Sequence, residues 1–232
     1  ISSWARSSVS YAVQKGWMTG YQGYFRPGDR LTREETAVLF QRIYTSLKER
    51  KVSAKQLVSL GWQYQSSTAE YIEQVKKSGV NTLSPRWYFL EADGSVSNNT
   101  DSSLVKWAHD NGKEVWPMFG NRFDAKTTHA VLADSEKRKE IVKTIARFVD
   151  RYELDGINID FEAISASDRD AFTQFIRELN EALDRYGAVV SVDVPPDTGT
   201  DWSEPYDYEA LADSADYLIV MRSEEHTSEL QS

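Results

Sequence analysis

Asp155-Gly156-Ile157-Asn158-Ile159-Asp160-Phe161-Glu162, the run DGINIDFE, alternates apolar and polar side chains without a break from Ile157 onward. In an extended strand successive side chains point to opposite faces, so Ile157, Ile159 and Phe161 share one face and Asn158, Asp160 and Glu162 the other. Carboxyl groups turned toward a sheet interior are costly to desolvate. The polar row therefore reads either as a functional site or as a structural ion-pair network.

Outward from this strand the chain keeps a regular rhythm. Short apolar runs read as strands at 60–64 (LGWQY), 81–90 (NTLSPRWYFL), 113–120 (KEVWPMFG), 155–162, 188–196 (AVVSVDVPP) and 216–221 (DYLIVM). Helical patterns separate them at 68–79, 102–112, 135–152, 168–187 and 206–215. Six strands alternating with five helical connections predict a parallel sheet with helices outside it. Two architectures satisfy that alternation, an open doubly wound sheet and a closed eight-stranded barrel. No glycine-rich phosphate loop follows the first strand: Gly61 precedes the turn and QSSTAE at 65–70 has no glycine. A barrel usually occupies about 250 residues, more than 57–221 offers, so a barrel here would stop after its sixth strand.

Composition narrows the function. The chain has 232 residues, 40% hydrophobic and 12% aromatic, enough for a sizeable core. Its net charge of -9 leaves no basic stripe for phosphates and argues against nucleic acid as a partner. Polymers or neutral substrates fit better. With no cysteine there is no disulfide, thiolate metal site or cysteine nucleophile. No apolar run approaches the roughly 20 residues of a membrane helix.

Asp160 and Glu162 have Cα atoms about 6.6 Å apart on one side of their strand. In most glycosidases the two carboxyl groups instead flank the scissile bond from opposite sides of the sugar. If this adjacent pair cleaves a glycosidic bond, the nucleophile comes from elsewhere, and a 2-acetamido group on the sugar is an internal supplier. An Asp-x-Glu metal site is a further possibility, but it lacks a supporting histidine, since His109 and His129 are isolated.

The octapeptide resembles the D-x-x-D-x-D-x-E signature of glycoside hydrolase family 18. Asp155, Asp160 and Glu162 match its first Asp, third Asp and Glu, while Asn158 replaces the second Asp. That replacement is similar to the branch acting on peptidoglycan and spore cortex, as are LGWQYQ, SVDVPP and ADYLIVM. The resemblance implies an incomplete (β/α)8 TIM barrel over 57–221 and cleavage of β-1,4 links next to N-acetylhexosamine with retention. It implies Glu162 as general acid and then base, Asp160 orienting the acetamide, and Asn158 in support, able to hydrogen-bond Asp160. Asp155 is expected to orient the strand start rather than to touch substrate. No cofactor or metal is implied. Tyr64 and Trp116 are expected as sugar-binding rings in the cleft, and Asp193, near the end of the fifth strand, as another cleft residue by barrel geometry. The family's Met-x-Tyr-Asp element is interrupted after Met221, which implies impaired turnover. A non-catalytic carbohydrate-binding or wall-scaffold protein on the same barrel is the rival reading, and the retained Glu162 counts against it.

Residues 1–45 differ from the rest. A helix ending at Gly16 leads through a loop with Gly20, Gly23 and Pro27 to a second helix, LTREETAVLFQRIYTSL, where Thr32 and Glu35 form a capping box. Trp4-Ala5, Ala12, Gly16, Gly20, Phe25, Pro27 and TREE at 32–35 resemble one S-layer homology repeat, which implies attachment to a secondary cell-wall polymer and an extracellular, wall-associated bacterial protein. The alternative is an ordinary helical hairpin capping the next domain. Residues 46–56 read as a linker. Residues 222–232, RSEEHTSELQS, resemble a translated sequencing adapter and are expected to carry no fold or function.

Overall fold

The computed structural model describes residues 9–10, 12–13, 15–20, 28–30, 32–49 and 57–221. Trp4, Ala5, Gly23, Phe25, Pro27 and the 222–232 tail lie outside the described residues. The chain divides into two compact units, 1–57 and 58–232.

In the first unit, residues 9–10 and 12–13 are helical and Gly16 takes a left-handed φ of 70°, the conformation that ends a helix at little cost for glycine. Helix α1 spans Arg33–Glu49. Its start is the expected capping box: Thr32 N donates to Glu35 Oε2 at 2.8 Å, and Glu35 N donates to Thr32 Oγ1 at 3.1 Å. Arg42 Nη1 ties the helix to the preceding loop through Thr19 Oγ1 at 3.1 Å. The helix runs on through Glu49, so residues 46–49, assigned to the linker, belong to it instead.

The second unit carries β1 (Leu60–Trp62), α2 (Thr68–Lys76), β2 (Thr82–Ser84), β3 (Arg86–Leu90), β4 (Val96–Asn98) and α3 (Ser102–Asp110). There follow β5 (Glu114–Val115), β6 (Met118–Gly120), α4 (Ala125–Leu132), α5 (Ser135–Tyr152) and β7 (Gly156–Asp160). The last elements are α6 (Arg169–Asp184), β8 (Val189–Val194), α7 (Tyr208–Ala212) and β9 (Tyr217–Val220).

Six barrel strands emerge once two interruptions are understood. Pro85 and Pro117 lack the N–H that a ladder needs, so the second strand splits into β2 and β3 and the third into β5 and β6. Pairing passes through both breaks: Trp116 N donates to Leu83 O and Met118 N to Pro85 O, each at 2.8 Å, and Asn158 N to Pro117 O at 3.0 Å. The parallel strands thus lie side by side in chain order, first to sixth. A doubly wound sheet reverses its strand order at a switch point, and this one does not. It is a partial barrel. The short antiparallel β4, which the sequence reading omitted, pairs with the upper half of the second strand, on the edge whose lower half carries β1.

The outer face is the hydrophobic core. Ile157, Ile159, Val190, Val192 and Val194 are fully buried, and Phe161 stacks on Phe175 of α6 at 5.7 Å. Helix α5 buries Ile141, Val142, Ile145, Ala146 and Val149, and α6 buries Phe172, Phe175, Ile176, Leu179 and Leu183, the spacing of one helical face. With that face against the helices, Asn158 and Asp160 point into the barrel. Gly156 opens β7 because nothing larger fits: a Cβ there would lie 2.7 Å from Val189 O and 2.8 Å from Trp116 Cδ1.

Candidate active site

The polar row of β7 enters a network built by register. Asn158 pairs with Ser191 and Met118, and Gly120 with Asp160. Asn158 is fully buried and uses both ends of its amide. Its Oδ1 accepts from Trp62 Nε1 at 2.9 Å and Ser84 Oγ at 3.2 Å; its Nδ2 donates to Ser191 Oγ at 3.1 Å and Asp193 Oδ1 at 2.9 Å. The expected partner was Asp160, whereas the observed carboxyl partner is Asp193, which stands on the neighbouring strand β8 two residues past Ser191, the residue paired with Asn158.

Asp193 is 1% exposed. Burial, reinforced by the negative charges of Asp160 and Glu162 and opposed by the Asn158 and Trp62 hydrogen bonds, pushes its carboxyl up to about 8. Burial also raises the carboxyl of Asp160, with the nearby Arg86 charge pulling it down. Asp160 Oδ1 is buried with no hydrogen-bond partner, an acceptor left for something else. Glu162, half-buried, is raised by burial and by the Asp160 charge. It sits just past the carboxyl end of β7, and Ala163 behind it takes a left-handed φ of 52°.

A residue the sequence reading missed fixes this turn. Asn121, 1% exposed and just past β6, brackets the Glu162 backbone. Glu162 N donates to Asn121 Oδ1 at 3.0 Å, and Asn121 Nδ2 donates to Glu162 O at 2.7 Å and to Thr128 Oγ1 at 2.9 Å. Arg122 and Phe123, which follow it, are left-handed too, with φ of 55° and 58°. Two strained turns are clasped to each other by one amide. Tyr206, also missed, is buried and donates from its hydroxyl to Phe161 O at 2.8 Å.

The remaining expected residues fall in three places. Tyr64, 66% exposed just past β1, stands at the mouth, with the Arg86 guanidinium 5.7 Å from its ring centroid. Asp155 accepts from Val115 N at 2.8 Å and meets His109 Nε2 at 2.9 Å, so it fastens the start of β7, about 17 Å along the strand from Asp160. Trp116 does not reach the cleft. It is 1% exposed and packs on Tyr217, 5.5 Å between centroids, and against Gly156. Tyr217 and Gly156 are the first residues of β9 and β7, so Trp116 plugs the amino end of the barrel, opposite the carboxylates. The break at Pro117 is what sets it that low.

Among the described residues of this unit, four large aromatics are markedly exposed: Trp62, Tyr64, Phe123 and Trp202. All four sit at or beyond the carboxyl ends of strands, on the face that bears Glu162. Exposed rings around carboxyl groups suit a sugar, whose C–H faces pack on aromatic surfaces. Among the described residues no cluster of three metal-ligating side chains is assembled, and no helix is long and apolar enough to cross a membrane.

Comparison with known proteins agrees with this geometry. An S-layer homology domain model matches residues 1–37. The chain is 34% identical over 148 residues to a putative sporulation-specific glycosylase, YdhD, of Bacillus subtilis, covering 60% of this chain and 35% of that protein. It is 24% identical over 139 residues to a cortical fragment-lytic enzyme of Bacillus anthracis, covering 56% and 32%. The solved C-terminal domain of a putative chitinase from Desulfitobacterium hafniense superposes with a TM-score of 0.66 at 26% identity, covering 73% of this chain and 55% of that one. The chain thus spans about a third of the length of these two curated relatives. The model for glycosyl hydrolases family 18 matches residues 62–231, the greater part of the sequence, and the chain belongs to that family.

Proposed function

We propose that the protein is a wall-attached glycosidase that cleaves β-1,4 links next to N-acetylhexosamine, in peptidoglycan first and chitin second, by a retaining, substrate-assisted mechanism. The observation that carries this reading is that Asp160, with its buried Oδ1 unpartnered, and Glu162 sit two residues apart on one side of a single strand. The third carboxyl, Asp193, stands on the neighbouring strand at the level of Asp160, hydrogen-bonded by Asn158 Nδ2, and burial pushes it up to about 8, which disfavours the ionised form a nucleophile requires.

The substrate's acetamide oxygen takes that part. Glu162, its carboxyl raised by burial and by the Asp160 charge, gives its proton to the glycosidic oxygen as the C1–O bond breaks. The acetamide oxygen bonds to C1, forming an oxazolinium. The unpartnered Asp160 Oδ1 accepts the acetamide N–H and its charge steadies the cation. Water then adds to C1, Glu162 takes its proton, and the acetamide is released with the anomeric configuration retained. Trp62, Tyr64, Phe123 and Trp202 supply rings for flanking sugars. The 1–45 module holds the protein to a secondary wall polymer outside the cell.

The test is reducing-end release from peptidoglycan and from N-acetylglucosamine oligomers by the chain and by Glu162→Gln, with the product anomer read by NMR. Release that depends on Glu162 with retained configuration is expected; equal release by both proteins, or inversion, overturns the mechanism. Deleting 1–45 should abolish co-sedimentation with purified walls and leave turnover of soluble oligomers unchanged.

A further inference from the structure

Arg86 opens β3 at the point where its pairing with β6 slips between Arg86 and Tyr88. The side chain is exposed, and its guanidinium stands 5.7 Å from the ring centroids of both Tyr64 and Phe89. It makes no hydrogen bond or ion pair with any described residue, although its charge acts on the nearby Asp160. Arg122 shows the contrast. It lies over the same Phe89 ring at 4.3 Å, but both arms of its fork are engaged by Glu91, at 2.7 and 3.2 Å.

Arg86 edges a groove of about 580 Å³ between the loops that follow β1 and β4, floored by Trp87 and Phe89 and bordered by Gln63, Ser66 and Asp101. It is the groove's one cation among the described residues. The groove's carboxylate is already occupied, since Asp101 accepts from Ser103 N at 2.9 Å, Ser103 Oγ at 2.6 Å and Thr68 Oγ1 at 2.7 Å. Ser66 Oγ is buried there without a partner. The groove therefore presents an unengaged guanidinium fork and an unengaged hydroxyl over an apolar floor. A planar fork of N–H donors matches a carboxylate bidentately. In a chain of net charge -9, with three carboxyl groups close by, an anionic substrate needs such compensation.

We propose that this groove binds a carboxylate carried by the glycan, through Arg86, and that it distinguishes anionic from neutral N-acetylhexosamine polymers. The chemistry fits the lactyl ether carboxylate of a muramic acid residue, or a carboxylate of the peptide attached to it; chitin offers neither. The assignment rests on the reading that the adjacent cleft takes N-acetylhexosamine chains.

The experiment titrates the full chain carrying Glu162→Gln, which blocks turnover, with three tetrasaccharides: neutral N-acetylglucosamine tetramer, an alternating N-acetylglucosamine–muramic acid tetramer with free lactyl carboxylates, and the same tetramer bearing peptides. At low salt, at least one anionic ligand should bind about tenfold more tightly than the neutral one, the size expected of a charge-assisted pair. Whichever anionic ligand holds the advantage identifies the source of the carboxylate. Added Arg86→Gln should erase that advantage by weakening the anionic ligand far more than the neutral tetramer; Arg86→Lys, keeping charge but not the fork, should keep part of it. Equal affinity for all three ligands, an advantage that survives Arg86→Gln, or an equal loss for neutral and anionic ligands overturns the assignment and leaves the glycosidase reading intact. Failure to bind any of the three overturns both.

Discussion

Replacing Asp193 with Asn should make the protein more stable than wild type at pH 9, by an advantage that shrinks steadily as pH falls toward 5. Asp193 is 1% exposed and its carboxyl is pushed from 3.8 up to about 8. A raised carboxyl means that the folded protein holds a proton the unfolded chain has released. The stability this contributes is complete below pH 3.8 and is lost as pH rises through about 8. At about 1.4 kcal/mol per unit, the whole shift corresponds to roughly 5–6 kcal/mol. Part of it is repulsion shared with Asp160 and Glu162, so removing Asp193 alone should recover about 2–4 kcal/mol at pH 9. For a unit of this size that is about 5–15 °C in Tm. The amide keeps the oxygen that accepts from Asn158 Nδ2, so the network at pH 5 loses little. Calorimetric melts of both proteins from pH 5 to 9 should converge at the acid end and separate at the alkaline end. Melting temperatures that stay parallel across that range would refute the buried, proton-holding role of Asp193.

Asn121→Ala leaves the buried Glu162 N–H without its acceptor and should cost about 2–4 kcal/mol in urea unfolding, with kcat on soluble oligomers falling far more than KM changes; a silent substitution would show that the clasp is incidental. Gly156→Ala forces a methyl to within 2.7 Å of Val189 O and should lower stability by about 2–4 kcal/mol, read as an earlier denaturation midpoint, whereas wild-type stability would contradict the close approach. Activity should fall as pH rises through the raised Glu162 value, since the acid must be protonated; Asp160→Asn removes a charge that raises it, so the alkaline limb of the residual activity should move to lower pH, and an unmoved limb would separate the two groups.

The alternation at 157–162 was enough to sort the faces of β7, and the helical spacing of α5 and α6 was enough to find what covers the apolar one, because both signals are local and repeat. The capping box at Thr32 and Glu35 is legible for the same reason: four consecutive residues contain the whole of it. Trp116 was misplaced because VWPMF reads as one strand, and only the pairing across Pro117 reveals which end of the barrel the ring occupies. Asn121 carries no sequence signal of its own, since it acts on another residue's backbone 41 positions away. Arg86 reads as an ordinary exposed cation until the rings of Tyr64 and Phe89 are set around it. The short VSN strand, polar and three residues long, is fixed by the hairpin it completes rather than by its own pattern.

The Asn at 158 follows from what its neighbours require. Trp62 Nε1 and Ser84 Oγ both donate toward it, and an ionised aspartate would accept them equally well. Ser191 Oγ and Asp193 Oδ1, on the other side, need a donor, and an ionised aspartate has none to give. An aspartate at 158 would therefore need a proton shared with Asp193, and the two groups would titrate as a pair. The amide meets both demands at every pH and adds no fourth carboxyl to a site already holding three. Because its donor end is committed to Asp193, it leaves Asp160 Oδ1 unpaired, and that buried, unanswered acceptor beside a protonation-prone Glu162 is the arrangement that an acetamide N–H would complete.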